Sequence, residues 1–136
     1  MIERIRVTLK NNPHARRRVL LYVLLCLPLA ILFSCLPGFH PDDYVSEHYN
    51  IPGDSWVHTG SYFAISFVGF LLLSFDKRWV FGNFAMLLLI SILLEFIQIY
   101  IPERGFSWLD ILSNVAGIAI CVIMAQAYYL LKDYQK

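Results

Sequence analysis

FAMLLLISILLEFIQIYI, residues Phe84–Ile101, decides how the rest of the chain is read. It is apolar and long enough to cross a bilayer core, which takes about 20 residues of helix. Within it stands one acid, Glu95, followed a helical turn later by Gln98. Residues three or four apart share one helix face, so two strongly polar groups lie on one side of a hydrocarbon-like helix. Ionisable groups at such positions are costly, face a bundle interior and mark function. Glu95 is therefore the first candidate for a site.

The composition agrees with a membrane setting. Of 136 residues, 58% are hydrophobic and 15% charged, against about 25% charged in a typical soluble domain. Besides Phe84–Ile101, the stretches Val19–Leu36, Trp56–Phe75 and Trp108–Leu131 are long and apolar enough to span. The expected fold is all-α, an integral membrane four-helix bundle. It has a basic N-terminal segment, residues 1–18, and a four-span membrane domain, residues 19–136.

Charge sets the expected orientation. Arg4, Arg6, Lys10 and Arg16–Arg18 precede the first span, Lys77 and Arg78 lie between the second and third, and Lys132 and Lys136 follow the fourth; Arg104 alone falls on the other side. Lys and Arg mark cytoplasmic loops, which predicts cytoplasmic N and C termini. The opposite segment, Pro37–Ser55, carries Asp42, Asp43, Glu47 and Asp54 but no Lys or Arg. Its Pro-Gly and Pro-Asp turns and its aromatic rings suit a rim over the outer surface. Ile2, Ile5 and Leu9 fall at helical spacing among basic residues, open to two readings: a helix lying on the inner leaflet or an irregular topology signal. The basic, apolar-patterned tail gives no reason to expect nucleic acid as a partner.

The three cysteines, Cys26, Cys35 and Cys121, have no metal-ligand spacing and read as small packing residues. For Cys35 a second reading stands: Leu32-Phe33-Ser34-Cys35 after a basic segment and an apolar run resembles the end of a lipoprotein-type signal.

Polar residues gather at one expected depth. Asp54, His58 and Tyr62 follow one another by turns at the start of span two. Glu95 and Gln98 close span three, with Arg104 in the turn beyond. Asp110 and Asn114 open span four, where Ser107-Trp-Leu-Asp110 has the form of a capping box. Ser113 and Gly117 allow close helix approach; Gly60 and Ala64 do the same, within one chain or between two. At 1.5 Å rise per residue, His58, Glu95 and Asn114 lie roughly 5–10 Å below the outer boundary. The inner halves are expected to hold nothing similar. Each residue also has a plain structural reading: Asp54 and Asp110 as helix caps, Asn114 as interhelical glue, Glu95 as a buried ion-pair partner of Arg104 or His58.

These residues also carry a resemblance. Asp54-Ser-Trp-Val-His58, and the ordered set Glu95-x2-Gln98, Arg104, Asp110-x3-Asn114-x2-Gly117, resemble the VanZ-like family, named for a teicoplanin-resistance protein. The likeness runs from span two to the end of span four. It departs at Ser55, where the family often has Lys. The resemblance implies a multi-pass protein of the bacterial inner membrane, some of whose relatives lower susceptibility to glycopeptide antibiotics; it implies no mechanism.

Asp54, His58, Tyr62, Glu95, Gln98, Arg104, Asp110 and Asn114 are thus the candidate binding residues. The first functional reading is a pocket for a lipid headgroup or lipid-linked cell-envelope molecule, with Arg104 taking an anionic group. The second is an enzyme on a lipid-linked substrate, with His58 and Glu95 as an acid–base pair. Ion transport fits least well, and a purely structural membrane scaffold is the remaining alternative. No metal or other cofactor is expected, because one His among scattered acids is no zinc signature, and no dimer is inferred.

Overall fold

The computed structural model describes residues 12–35, 53–74, 76–101 and 105–135, with only the backbone course for 33–35, 53 and 54. The described residues form helices α1 (Pro13–Cys35), α2 (Gly53–Leu73), α3 (Lys77–Gln98) and α4 (Trp108–Tyr134). Three apolar stretches, Ser55–Leu73, Lys77–Gln98 and Trp108–Tyr134, are long enough to cross a membrane. The fourth helix, α1, carries Arg16, Arg17 and Arg18 inside it, exposed in its first two turns. The N-terminal tail, the Pro37–Pro52 segment and Arg104 lie outside the described residues.

Local chemistry explains where the helices start. Asn12 accepts from the Ala15 N–H at 3.0 Å, and Pro13 fills the first helical position, where its missing N–H is not needed. α1 therefore begins ahead of the apolar run at Val19 and takes the three arginines into helix. Asp76 caps α3 by accepting from the Arg78 N–H at 2.9 Å. As a result α3 starts at Lys77, a full two turns before Phe84, and ends at Gln98. Glu95 and Gln98 thus sit in its last turn. Tyr100 and Ile101 leave the helix through tight turns to the Ile97 and Gln98 carbonyls. Ser107 caps α4 as the sequence suggested, accepting from the Asp110 N–H at 3.3 Å.

The short Ser74–Asp76 link folds α3 back on α2, and the 99–107 link folds α4 back on α3. α2 packs most extensively on α4 and also touches α1 and α3. α3 in turn contacts α1 and α4, while among the described residues α1 and α4 do not come together. The starts of α2 and α4 and the end of α3 come together at one end, here the Glu95 end. Lys77, Arg78 and Lys132 lie at the other, the Lys77 end, where α1 also starts.

The α2–α4 contact has a specific cause. A Cβ placed on Gly117 would run into the Thr59 carbonyl oxygen and come within 2.8 Å of the Phe63 nitrogen. Backbone meets backbone there, with no flexible side chain to give way. Gly60 is different: it is exposed and no atom lies within 4 Å of a Cβ built on it. The core itself is built on Tyr22, Cys26, Ala30, Ile65, Leu87, Leu94, Ile118, Cys121 and Ala125. Cys26 and Cys121 are buried packing residues, 1% and 0% exposed. The side chain of Cys35 is not among those described.

Phe70, Phe81, Tyr128 and Tyr129 form one aromatic cluster at the Lys77 end. Phe70 lies edge-on to Tyr128 at 5.4 Å, Phe81 lies 6.5 Å from Tyr129, and the Lys132 ammonium sits 5.7 Å above the Tyr128 ring.

Gly117→Ala tests the crossing. Ala is better than Gly in a helix by about 1 kcal/mol, but overpacking against rigid backbone costs about 1–3 kcal/mol, so a net loss of thermal stability in detergent micelles is expected. Gly60→Ala, by contrast, should leave stability unchanged or slightly raised.

Candidate functional site

At the Glu95 end, three helices deliver polar side chains into a closed interior. Glu95, Gln98 and Asn114 are each 1% exposed, Tyr62 1%, His58 3%, Asp110 7%. α2 contributes His58 and Tyr62 from successive turns of one face; α3 contributes Glu95 and Gln98; α4 contributes Asp110 and Asn114. The helical spacings in the sequence put them on these faces, and the two fold-backs bring the faces together.

The groups form a connected chain. Glu95 Oε1 accepts the Ser107 N–H at 2.7 Å. Ser107 Oγ accepts the Asp110 N–H at 3.3 Å. Asp110 Oδ2 lies 3.9 Å from His58 Nε2, and His58 Nδ1 meets Asn114 Oδ1 at 3.0 Å. The chain runs from α3 through the N-terminus of α4 to α2 and back to α4. His58 and Asn114 lie directly beside the Gly117 crossing with Thr59, so the close backbone approach sets their distance.

In a standard capping box the acid at the third helical position reaches back to the N–H of the cap residue. Here that N–H is taken by Glu95 from a neighbouring helix. Asp110 keeps the position of a capping acid, yet its carboxylate faces His58. The plain reading of Asp110 as the capping-box acid therefore gives way in part, because Glu95 takes the N–H that such an acid would reach; the pairing of Glu95 with Arg104 lies outside the described residues. That place suits an acid, because a helix N-terminus concentrates positive dipole and unsatisfied N–H groups. A short charge-assisted bond there offsets some of the cost of burying a carboxylate.

His58 is held from two sides: Nδ1 is within hydrogen-bond reach of Asn114 Oδ1 at 3.0 Å, and Nε2 faces the Asp110 carboxylate at 3.9 Å, longer than a direct hydrogen bond. Gln98 presents both an amide donor and an acceptor; neither has a partner among the described residues.

Not every expected member can be placed. The backbone of Asp54 lies in the first turn of α2, with its side chain outside the described set, and Arg104 lies outside it altogether. Among the described residues no group of three or more His, Cys, Asp and Glu could hold a metal ion. The cluster is also covered rather than open. A groove of about 370 Å³ instead lies between α1 and α2, lined by Leu25, Cys26, Leu29, Gly60, Ser61, Ala64, Ile65 and Val68, and is apolar.

Neutral polar groups are also buried toward the Lys77 end. Tyr22 of α1, Ser66 of α2 and Asn83 of α3 are 3%, 0% and 4% exposed. Tyr22 read as part of an apolar span, and Asn83 fell ahead of the expected span three. The sequence signal was the spacing His58–Tyr62–Ser66–Gly69, one face of α2 that is polar or small at every turn.

No family model, no curated protein and no solved structure matches this chain.

Ser107→Ala removes the α4 cap at a cost of about 1 kcal/mol. Glu95→Ala leaves the Ser107 N–H buried without its acceptor and should cost more, about 1–3 kcal/mol. Glu95→Gln keeps a carbonyl acceptor and should recover most of that loss. Thermal unfolding of the three variants in one detergent gives the order; equal losses for Ala and Gln would dismiss the capping role.

Proposed function

We propose that this chain is a small multi-pass protein of the bacterial inner membrane, of the VanZ-like kind, and that the cluster at its Glu95 end binds the polar headgroup of a membrane lipid or lipid-linked envelope molecule. The carrying observation is the buried chain Glu95–Ser107–Asp110–His58–Asn114, assembled from three helices at one end. Support comes from the motif residues themselves: Glu95, Gln98, Asp110, Asn114 and Gly117, on which the resemblance rests, all lie in or beside that chain.

The proposed orientation puts the Lys77 end and both termini in the cytoplasm, with four spans including α1. The gathering of Arg16–Arg18, Lys77, Arg78 and Lys132 at one end supports it. The cluster then belongs to the outer leaflet. Gln98 supplies a donor and an acceptor for hydroxyls or amides, and Arg104 supplies charge for an anionic group. Lowered susceptibility to glycopeptides follows if the bound molecule is one that controls access to surface targets.

One geometric fact favours a second reading, acid–base catalysis on a lipid-linked substrate. His58 stands between the Asn114 amide at 3.0 Å and the Asp110 carboxylate at 3.9 Å, an imidazole positioned by neighbours as a general base needs to be. His58→Gln separates the two. Binding alone predicts an unchanged set of lipid species in expressing cells, with headgroup-dependent thermal protection of the purified protein that weakens in the variant by about tenfold in affinity, about 1.4 kcal/mol. Catalysis predicts a lipid species that appears with the wild type and vanishes with His58→Gln. Full protection and unchanged glycopeptide susceptibility in a folded Glu95→Gln, His58→Gln double variant would refute both.

A further inference from the structure

We propose that Tyr22, Ser66 and Asn83 form a second buried site in the half of the bundle toward the Lys77 end, and that its ligand is water. The site is separate from the Glu95 cluster and does not rest on the function proposed for it.

Three helices contribute to it. Tyr22 comes from α1, Ser66 from α2 and Asn83 from α3, and all three are more than nine-tenths buried. Tyr22 and Asn83 face one another, but the Tyr22 hydroxyl, the Ser66 hydroxyl and both amide atoms of Asn83 make no hydrogen bond of good geometry among the described residues. Gly69 marks the meeting point. A Cβ there would collide with Asn83 Nδ2 and come within 2.9 Å of Tyr22 Cε2. The absence of a side chain on α2 is thus what admits an amide from α3 and a ring from α1 at the same level.

Buried polar groups are in the great majority hydrogen-bonded to protein or to ordered water. These are neutral, mixed donors and acceptors: Tyr22 and Asn83 meet at Gly69, and Ser66 lies one turn before Gly69 on the same face of α2. Groups of both kinds match water, which binds buried sites through about three hydrogen bonds to groups otherwise unsatisfied. Asn83 offers a donor pair and an acceptor, and each hydroxyl offers both functions. On α2 the buried face runs His58, Tyr62, Ser66, Gly69, so the hydrated group continues the polar face that begins at the Glu95 end.

Hydroxyl-radical footprinting of the full chain in lipid nanodiscs tests this, because radicals formed from bound water label the side chains beside it. The water is supplied as H2(18)O to report exchange with bulk. Tyr22 should be oxidised several-fold faster than Phe84, which is equally buried at 4% exposure, and should carry the heavy isotope. Asn83→Leu, an apolar replacement of similar size, should lower Tyr22 labelling several-fold while circular dichroism shows the helices intact. Should Asn83→Leu fail to fold, Ser66→Ala serves for the same comparison. Tyr22 labelling no faster than that of Phe84, or unchanged in a folded variant, overturns the proposal and leaves a direct Tyr22–Asn83 contact in its place.

Discussion

The bond from the Glu95 carboxylate to the Ser107 N–H is the constraint around which the Glu95 end is arranged. An acid in an apolar helix must find donors, and the start of α4 must find acceptors for its free N–H groups. One interaction meets both needs and fixes the last turn of α3 against the first turn of α4. It also leaves the Asp110 carboxylate, which the sequence offers to its own helix, directed at His58. The imidazole, Asn114 and the Gly117 crossing then follow as neighbours on the α2–α4 face.

Much of this was legible in the residues. Period-3.6 pairing of His58 with Tyr62, Glu95 with Gln98 and Asp110 with Asn114 identifies the faces, and short links force the helices back on one another. Ser107 as a cap and Gly117 as a close-approach residue are readable because each depends on local chemistry or on size alone. The lengths of the apolar stretches likewise identify the three membrane-length helices.

Other features were hidden for physical reasons. The starts of α1 and α3 depend on caps, Asn12 and Asp76, that lie in charged surroundings where hydropathy gives no signal. The capture of the Ser107 N–H by Glu95 depends on the geometry of two helix ends, and a capping box reads the same whichever acid occupies it. The Tyr22–Ser66–Asn83 group needs three helices in register, and no single stretch of chain shows it. Ser66 in particular is one small hydroxyl among aromatic and aliphatic neighbours, a residue as common in close packing as in polar sites.

The order of contacts has a bearing on how such a chain is made. Among the described residues α1 packs on α2 and α3, whereas α2 has its most extensive packing with α4, which follows it in the chain by two helices. His58 and Asn114 are 56 positions apart, and Glu95 receives its N–H donor only once Ser107 has been added. The acid and the imidazole therefore depend on α4 for their partners, and the polar faces of α2 and α3 are complete only once that helix has docked.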